Sequence, residues 1–356
     1  MVRRGHDRTA RRRVSPPVLL VLLVLLAALA AAGGARAGEI MRLYGDENVG
    51  TAGAQFLRIP VGARAVALGQ AYTACAVDGA APFWNPAGLM RTPGRRNLFF
   101  AHDAYAADID LEYAAYHWRG QNFAFGLSAG MLLSGEIPRT TELHQEGTGQ
   151  TFTANQYVLG LSAARAMTDR FSFGGTVKYF QENLDEFTTR GALFDIGILY
   201  YVGVGDLRVA FAVRNIGGDL RPGGTPPALG PGYTPPAEFQ SYAAPTSGSF
   251  GAAYTWRLGE RTSLLTSADF HHPTDYSESF RTGLELTLDR RLALRGGYET
   301  NRDQGGLAAG FGVLLARDRW RIRLDYALRD MGRFGTVHQL SVDLSPLWRP
   351  HREERP

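Results

Sequence analysis

The stretch RWRIRLDYALR, residues 319–329, separates into two interleaved sets of side chains. Trp320, Ile322, Leu324, Tyr326 and Leu328 share one side of an extended chain. Arg319, Arg321, Arg323, Asp325 and Arg329 share the other, with Ala327 among them. A strict period of two predicts a β-strand, because successive side chains of a strand alternate between its faces. A helix would scatter the same residues around its circumference. One face is therefore as apolar as a core, and the other carries charges of both signs.

The pattern recurs. Phe171, Phe173, Val177 and Tyr179 oppose Ser172, Gly174, Thr176 and Lys178, and Phe280, Leu284, Leu286 and Leu288 oppose Arg281, Gly283, Glu285 and Thr287. Leu292, Leu294 and Tyr298 oppose Arg291, Arg295 and Glu299. About fourteen such segments are read, near 97–105, 110–119, 122–133, 151–165, 170–182, 189–201, 206–216, 247–257, 262–270, 278–288, 291–299, 305–316, 319–329 and 334–345. Each is close to the roughly 9–11 residues a tilted strand needs to cross a bilayer. Every second connection is short (120–121, 166–169, 202–205, 258–261, 289–290 and 317–318), and the others include long ones at 134–150 and 217–246. An up-and-down barrel has that asymmetry, with short periplasmic turns and longer outer loops. Lipid would then cover the apolar faces, and closure would leave no backbone group unpaired in hydrocarbon. A secreted all-β sandwich is the competing fold. It would need a second sheet to cover every apolar face, and its long loops would alternate with short ones only by chance.

The first residues agree with export. Arg3, Arg4, Arg8 and Arg11 to Arg13 precede the apolar run 18–32, and Ala35-Arg36-Ala37 offers small residues to a signal peptidase. Residues 1–37 therefore read as a Sec-type signal peptide rather than a retained anchor, for which the run is short. The leader holds 7 of the 38 basic and 1 of the 34 acidic residues, leaving 31 against 33, a net charge of −2. That balance gives no reason to propose nucleic acid as a partner. Cys75 stands alone in an alanine-rich run and reads as buried packing, with no intramolecular disulfide available.

Residues 38–96 break the strand pattern. Segment 50–90 is rich in Ala and Gly without sustained alternation; Asp78 can cap a short helix from Gly79, and Asn85-Pro86 offers an N-cap followed by proline at the first helical position. Small side chains suit close packing in a confined space, and a barrel this wide needs filling. The sequence thus divides into a signal peptide (1–37), an N-terminal hatch (38–96), a transmembrane barrel (97–348) and a C-terminal tail (349–356). A periplasmic cap outside the barrel is the alternative for 38–96.

GAQFLRIPVGARAVALGQAY at 53–72, Asp78 and PFWNPAGL at 82–89 resemble the N-terminal signature of the PorV/PorQ outer-membrane proteins, which are related to the FadL fatty-acid transporters. The resemblance is specific over residues 50–90 and only architectural over the strands. It implies a fourteen-stranded barrel with an N-terminal hatch in its lumen. It also makes Asn85, Pro86, Ala87, Gly88 and Leu89 the family's NPA box, a hatch element rather than a catalytic site. One departure stands out: Trp348 is followed by RPHREERP, whereas many outer-membrane barrels end on an aromatic residue.

No catalytic constellation emerges. His271, His272 and Asp275 could suggest a metal, yet neighbouring histidines in an outer loop are more often simply solvated. Asp269, Arg281, Glu285, Arg295, Glu299, Arg321, Arg323 and Asp325 read as inward charges lining a lumen rather than acid–base pairs. The chain is therefore read as a non-enzyme of the outer membrane, with no cofactor or metal and with outer-membrane lipid around it. The PorV/PorQ resemblance implies a protein secretion or surface-assembly component, engaging exported proteins through loops 134–150 and 217–246. The alternative is a FadL-like channel for a hydrophobic small molecule, and a mainly structural barrel is a third reading.

Overall fold

The computed structural model describes residues 49–105, 109–226, 236–302, 305–317 and 320–346. The leader, Trp348 and the tail lie outside them. Fourteen antiparallel strands close into one barrel. They are β1 (Arg96–Ala104), β2 (Asp110–Arg119), β3 (Phe123–Leu133), β4 (Ala154–Ala166), β5 (Phe171–Leu184), β6 (Phe187–Tyr201), β7 (Arg208–Gly217), β8 (Ser247–Arg257), β9 (Ser263–Pro273), β10 (Ser279–Leu288), β11 (Leu292–Glu299), β12 (Leu307–Arg317), β13 (Trp320–Asp330) and β14 (Thr336–Pro346). Each pairs with its sequence neighbours, and β14 returns to β1 with Leu98 opposite Leu344 and Ala104 opposite His338. The barrel and strand number predicted from alternation are those observed.

Two details differ. Thr151-Phe152 does not extend β4; it pairs with Ile137-Pro138 in a small hairpin standing apart from the barrel. The connection between β5 and β6 lies at the long-loop end but is only Asp185-Glu186, a tight turn with Asp185 in the left-handed region at φ 56°. Further round the wall, the β6–β7 register shifts between Phe194 and Ile196. The extra residue lies on β7, where Asn215 takes φ 58° and Arg214 and Asn215 are both buried; the inward Asp195 carboxylate opposite them lies 2.6 Å from the Lys178 ammonium and accepts from the Asn215 amide at 2.8 Å.

The two faces of β13 separate as alternation requires. Trp320, Leu324 and Leu328 are exposed on the outside, and Asp325, Ala327 and Arg329 are buried inside. Phe125, Leu127, Leu159, Leu161, Phe173, Val177, Phe194 and Ile196 continue the outer apolar surface around the wall. An exposed apolar band of this extent belongs in hydrocarbon, not water. No described helix is long and apolar enough to cross a membrane.

Facing is testable on adjacent residues. Arginine on the lipid face costs up to about 2–4 kcal/mol, most at mid-bilayer and less towards the interfaces, so Ile322→Arg is expected to impair insertion. Arg321→Gln changes an inward side chain that has no ion-pair partner among the described residues, and should leave folding intact. Heat-modifiability on semi-native gels separates the two; identical behaviour would contradict the assignment of faces.

Candidate functional site: the filled lumen

Inside the wall, residues 54–92 form a compact insert of short elements. These are a 3₁₀ turn (Gln55–Arg58), α1 (Ala63–Ala67), α2 (Ala81–Trp84) and a second 3₁₀ turn (Pro86–Arg91). Alanine-rich helices of one turn gain little from propensity alone and form here because the barrel surrounds them. The predicted Asn85 cap is present: its side chain accepts from the Ala87 amide at 3.1 Å, with Pro86 opening the turn. Asp78 behaves differently from the prediction. The helix begins at Ala81 without a side-chain cap, and although Asp78 accepts from the Ala80 amide at 3.2 Å, its other oxygen is drawn into an ion cluster.

That cluster joins insert to wall. Asp78 lies 3.2 Å from Arg64 and 2.6 Å from Arg323, and also accepts from the Tyr72 hydroxyl. Arg64 reaches Glu285 on β10 at 2.8 Å; Glu285 meets Arg295 on β11 at 2.6 Å; Arg295 meets Asp325 on β13 at 2.8 Å. Arg323 closes the loop onto Asp325 at 2.8 Å and lies 3.5 Å from Asp343 on β14. Burial alone would raise the Asp78 pKa, but the guanidiniums of Arg323 and Arg64 override it and hold the carboxyl down at about 2. Burial pushes the Cys75 thiol the other way, up to about 11, so this lone cysteine is a packing residue in an apolar cluster.

Neutral contacts complete the joint. The Tyr72 and Thr73 amides donate to Asp269 at 3.0 and 2.8 Å, Ala63 donates to the Ser341 hydroxyl at 3.2 Å, and Asn85 donates to the Ile198 carbonyl at 3.0 Å. Two inward glycines set how near the backbones come. A Cβ at Gly297 would overlap the backbone of Leu68 and Gly69, and one at Gly174 would overlap that of Pro86 and Ala87. Part of the 217–246 loop meets the residues that lead into the insert, where Ala243 bridges Ala52, and within that loop Leu220 and Tyr242 exchange backbone hydrogen bonds at 2.8 and 2.9 Å.

The charged positions read from sequence therefore fall into separate groups. Glu285, Arg295, Arg323 and Asp325 belong to the cluster just described. Arg281 and Glu299 pair at 2.8 Å nearer the long-loop end, and Arg321 sits towards the short-turn end. Of the NPA box, Asn85, Pro86, Ala87, Gly88 and Leu89 are all buried. The histidine pair departs from its expected place in a solvated loop. His271 is buried within β9 against the Ser249 hydroxyl at 2.9 Å, His272 meets Glu278 at 3.1 Å, and Asp275 binds Arg58 at 2.9 Å. β9 is longer than predicted, and it carries both histidines into the wall. Among the described residues no three such side chains come together as a metal would require. Sequence reading missed Arg64 and the Lys178–Asp195 pair. The available signals were the only lysine in the chain and an arginine within an otherwise small-residue helix.

Of the cavities beside the insert, two bear on passage through the lumen. At the long-loop end is an open vestibule of about 620 Å³, bordered by Arg58, Arg281, Glu299 and Arg329. Between the insert and β2–β5 runs a mainly apolar seam lined by Leu57, Val61, Phe83, Tyr113 and Val158 and edged by Glu112, Ser128 and Lys178, with only about 20 Å³ of free space. Phe56 and Ile59 border both.

With this geometry in view, the chain is similar in structure to several solved barrels. It matches the CymD monoaromatic hydrocarbon channel at TM-score 0.55 and 13% identity, over 82% of this chain and 98% of that one. The Ralstonia pickettii toluene transporter TbuX matches at 0.53 and 14%, over 82% and 98%. A Pseudomonas aeruginosa FadL homologue matches at 0.51 and 13%, over 82% and 99%. At such identity these likenesses establish a shared FadL-like barrel fold. No family model matches the sequence, and no curated protein does.

The ion cluster yields a ranked prediction. Asp78→Ala leaves two buried guanidiniums without their shared carboxylate, a change of the class that costs about 3–5 kcal/mol. Asn85→Ala removes a cap worth about 1 kcal/mol together with two further hydrogen bonds. Limited proteolysis should cut residues 54–92 fastest in Asp78→Ala, more slowly in Asn85→Ala and slowest in the parent chain, with the barrel heat-modifiable in all three. Equal rates in all three would place the insert's hold elsewhere.

Proposed function

We propose that this protein is an outer-membrane channel passing hydrophobic small molecules around a lumenal plug. The observation that carries the reading is the sharing of Phe56 and Ile59 by the vestibule and the apolar seam. A solute collected at the long-loop end meets these two side chains as the threshold of an apolar path along the plug. About 20 Å³ is roughly the room one water needs, so the path is shut in this conformation. Passage requires the plug to shift against β2–β5, the side away from the ion cluster. The fold likeness to channels for monoaromatic hydrocarbons and toluene supports the same reading. It favours transport over the secretion or surface-assembly role that the PorV/PorQ resemblance implies. The reading takes residues 1–37 as a Sec leader, 38–96 as the plug, 97–348 as the wall and 349–356 as a tail, and it requires no catalytic group.

The threshold can be moved by mutation. Phe56→Ala should raise, and Phe56→Trp lower, uptake of radiolabelled aromatic hydrocarbon by Gram-negative cells expressing the chain. A change of about tenfold corresponds to about 1.4 kcal/mol in the barrier. Uptake no greater than in cells lacking the protein would contradict the channel reading, and equal uptake by both variants would exclude the seam as the path.

A further inference from the structure

The two ends of the barrel carry opposite charge. At the short-turn end, the last three residues of each strand and the turns 93–95, 120–122, 167–170, 202–207, 258–262 and 289–291 hold eleven arginines, the end of β12 and the turn after it aside. Against them stand only Asp169, Asp206, Glu260 and Asp289, an excess of seven positive charges. At the long-loop end the last three residues of each strand and the loops hold, among the described residues, six arginines against fifteen carboxylates, an excess of nine negative charges. Lys178 is the only lysine, so arginine abundance alone would supply cations to both ends alike. The basic rim is a property of one end.

Two of its arginines point sideways, out of the wall. Arg96 on β1 shares the outer face of Leu98 and Phe100, and Arg165 on β4 shares that of Leu159 and Leu161. Between them lies an outward aromatic platform. Trp118 stands opposite Arg96 across the β1–β2 ladder and stacks on Phe125, with ring centroids 6.4 Å apart. Phe123 lies under the Arg165 guanidinium, 5.0 Å from ring centroid to Cζ. Exposed Tyr200 and Trp320 continue the outer aromatic residues around this end. Such a girdle marks the boundary between hydrocarbon and head groups, which sets both guanidiniums at head-group level. Neither has a carboxylate within ion-pairing distance among the described residues.

We propose that Arg96 and Arg165, flanking this platform, bind the phosphates of anionic phospholipids in the leaflet at the short-turn end, one head group to each guanidinium. Three strand spacings of about 4.8 Å separate β1 from β4, so the two arginines take separate phosphates. A guanidinium fork matches two phosphate oxygens while its apolar stem stays against the wall. The positive field of the rim disfavours the cationic half of a zwitterionic head and selects an anionic one. A basic rim would also fit an acidic soluble protein, but the sideways direction of Arg96 and Arg165, level with lipid-facing rings, favours lipid. The proposal depends on the wall standing in a bilayer and not on what crosses the lumen.

The test is native mass spectrometry of the full chain in neutral detergent, titrated with phosphatidylglycerol or with phosphatidylcholine of the same acyl chains. The first phosphatidylglycerol is expected to bind about fivefold more tightly, the factor that one arginine contributes at an anionic surface. Arg96→Gln combined with Arg165→Gln should remove that preference, with phosphatidylcholine binding and heat-modifiability unchanged. Arg261→Gln, in the turn after β8, should leave the preference intact, because Arg261 belongs to the rim but not to the platform. Equal affinity for the two lipids would overturn the proposal. An equal loss of preference in Arg261→Gln would do the same, by placing the effect in the general field of the rim. Displacement of bound phosphatidylglycerol by excess hexaglutamate would assign the surface to an acidic protein, and so would overturn it too.

Discussion

Buried charge inside the barrel is the constraint on which the rest of the structure depends. Arg64 and Asp78 of the insert, with Glu285, Arg295, Arg323, Asp325 and Asp343 of the wall, lie out of bulk water, and each is tolerable only because the others are in place. The cluster spans β10, β11, β13 and β14 and reaches back more than 200 residues to the insert. A slip of one residue in any of these strands would turn its charges towards lipid and its apolar residues towards the lumen. The arrangement therefore specifies strand register and seats the insert at once.

Shape acts alongside charge. The insert can approach the wall closely because glycines stand where its backbone passes, at Gly174 beside Pro86 and at Gly297 beside Gly69. On the opposite side, towards β2–β5, the contacts are mainly apolar, from Phe83, Tyr113 and Val158. The insert is thus anchored by ions on one side and by dispersion on the other. An apolar side can part and reseal at less electrostatic cost than an ion cluster, and under the proposed channel reading that asymmetry favours the seam as the path for an apolar solute.

Much of this was legible in the chain. Alternation in RWRIRLDYALR and its counterparts identified the wall, since lipid outside and polar groups inside impose opposite chemistry on consecutive residues. Asn85-Pro86 announced a helical turn because capping is local. What could not be read was which charges meet. Arg64 and Glu285 are brought together only by barrel closure and by the path of the insert, and Asp78, which looks like a cap in sequence, is redirected by Arg323 arriving from β13. The same holds for His271, which sequence left in a loop and β9 carries inward. Residue alternation told which way a side chain faces; only the closed barrel told what it faces.

The central claim is the proposal that residues 54–92 occupy the lumen and close it, held there by the wall. A segment this small and alanine-rich cannot hold a core alone, whereas the closed ladder of strands needs no insert to satisfy its backbone. The direct measurement is single-channel conductance in planar bilayers of the mature chain with and without residues 38–92. The account predicts that the shortened protein still forms a heat-modifiable barrel and conducts far more strongly than the intact one. Equal conductance from two folded barrels would show that the segment does not block the lumen, and would contradict the account.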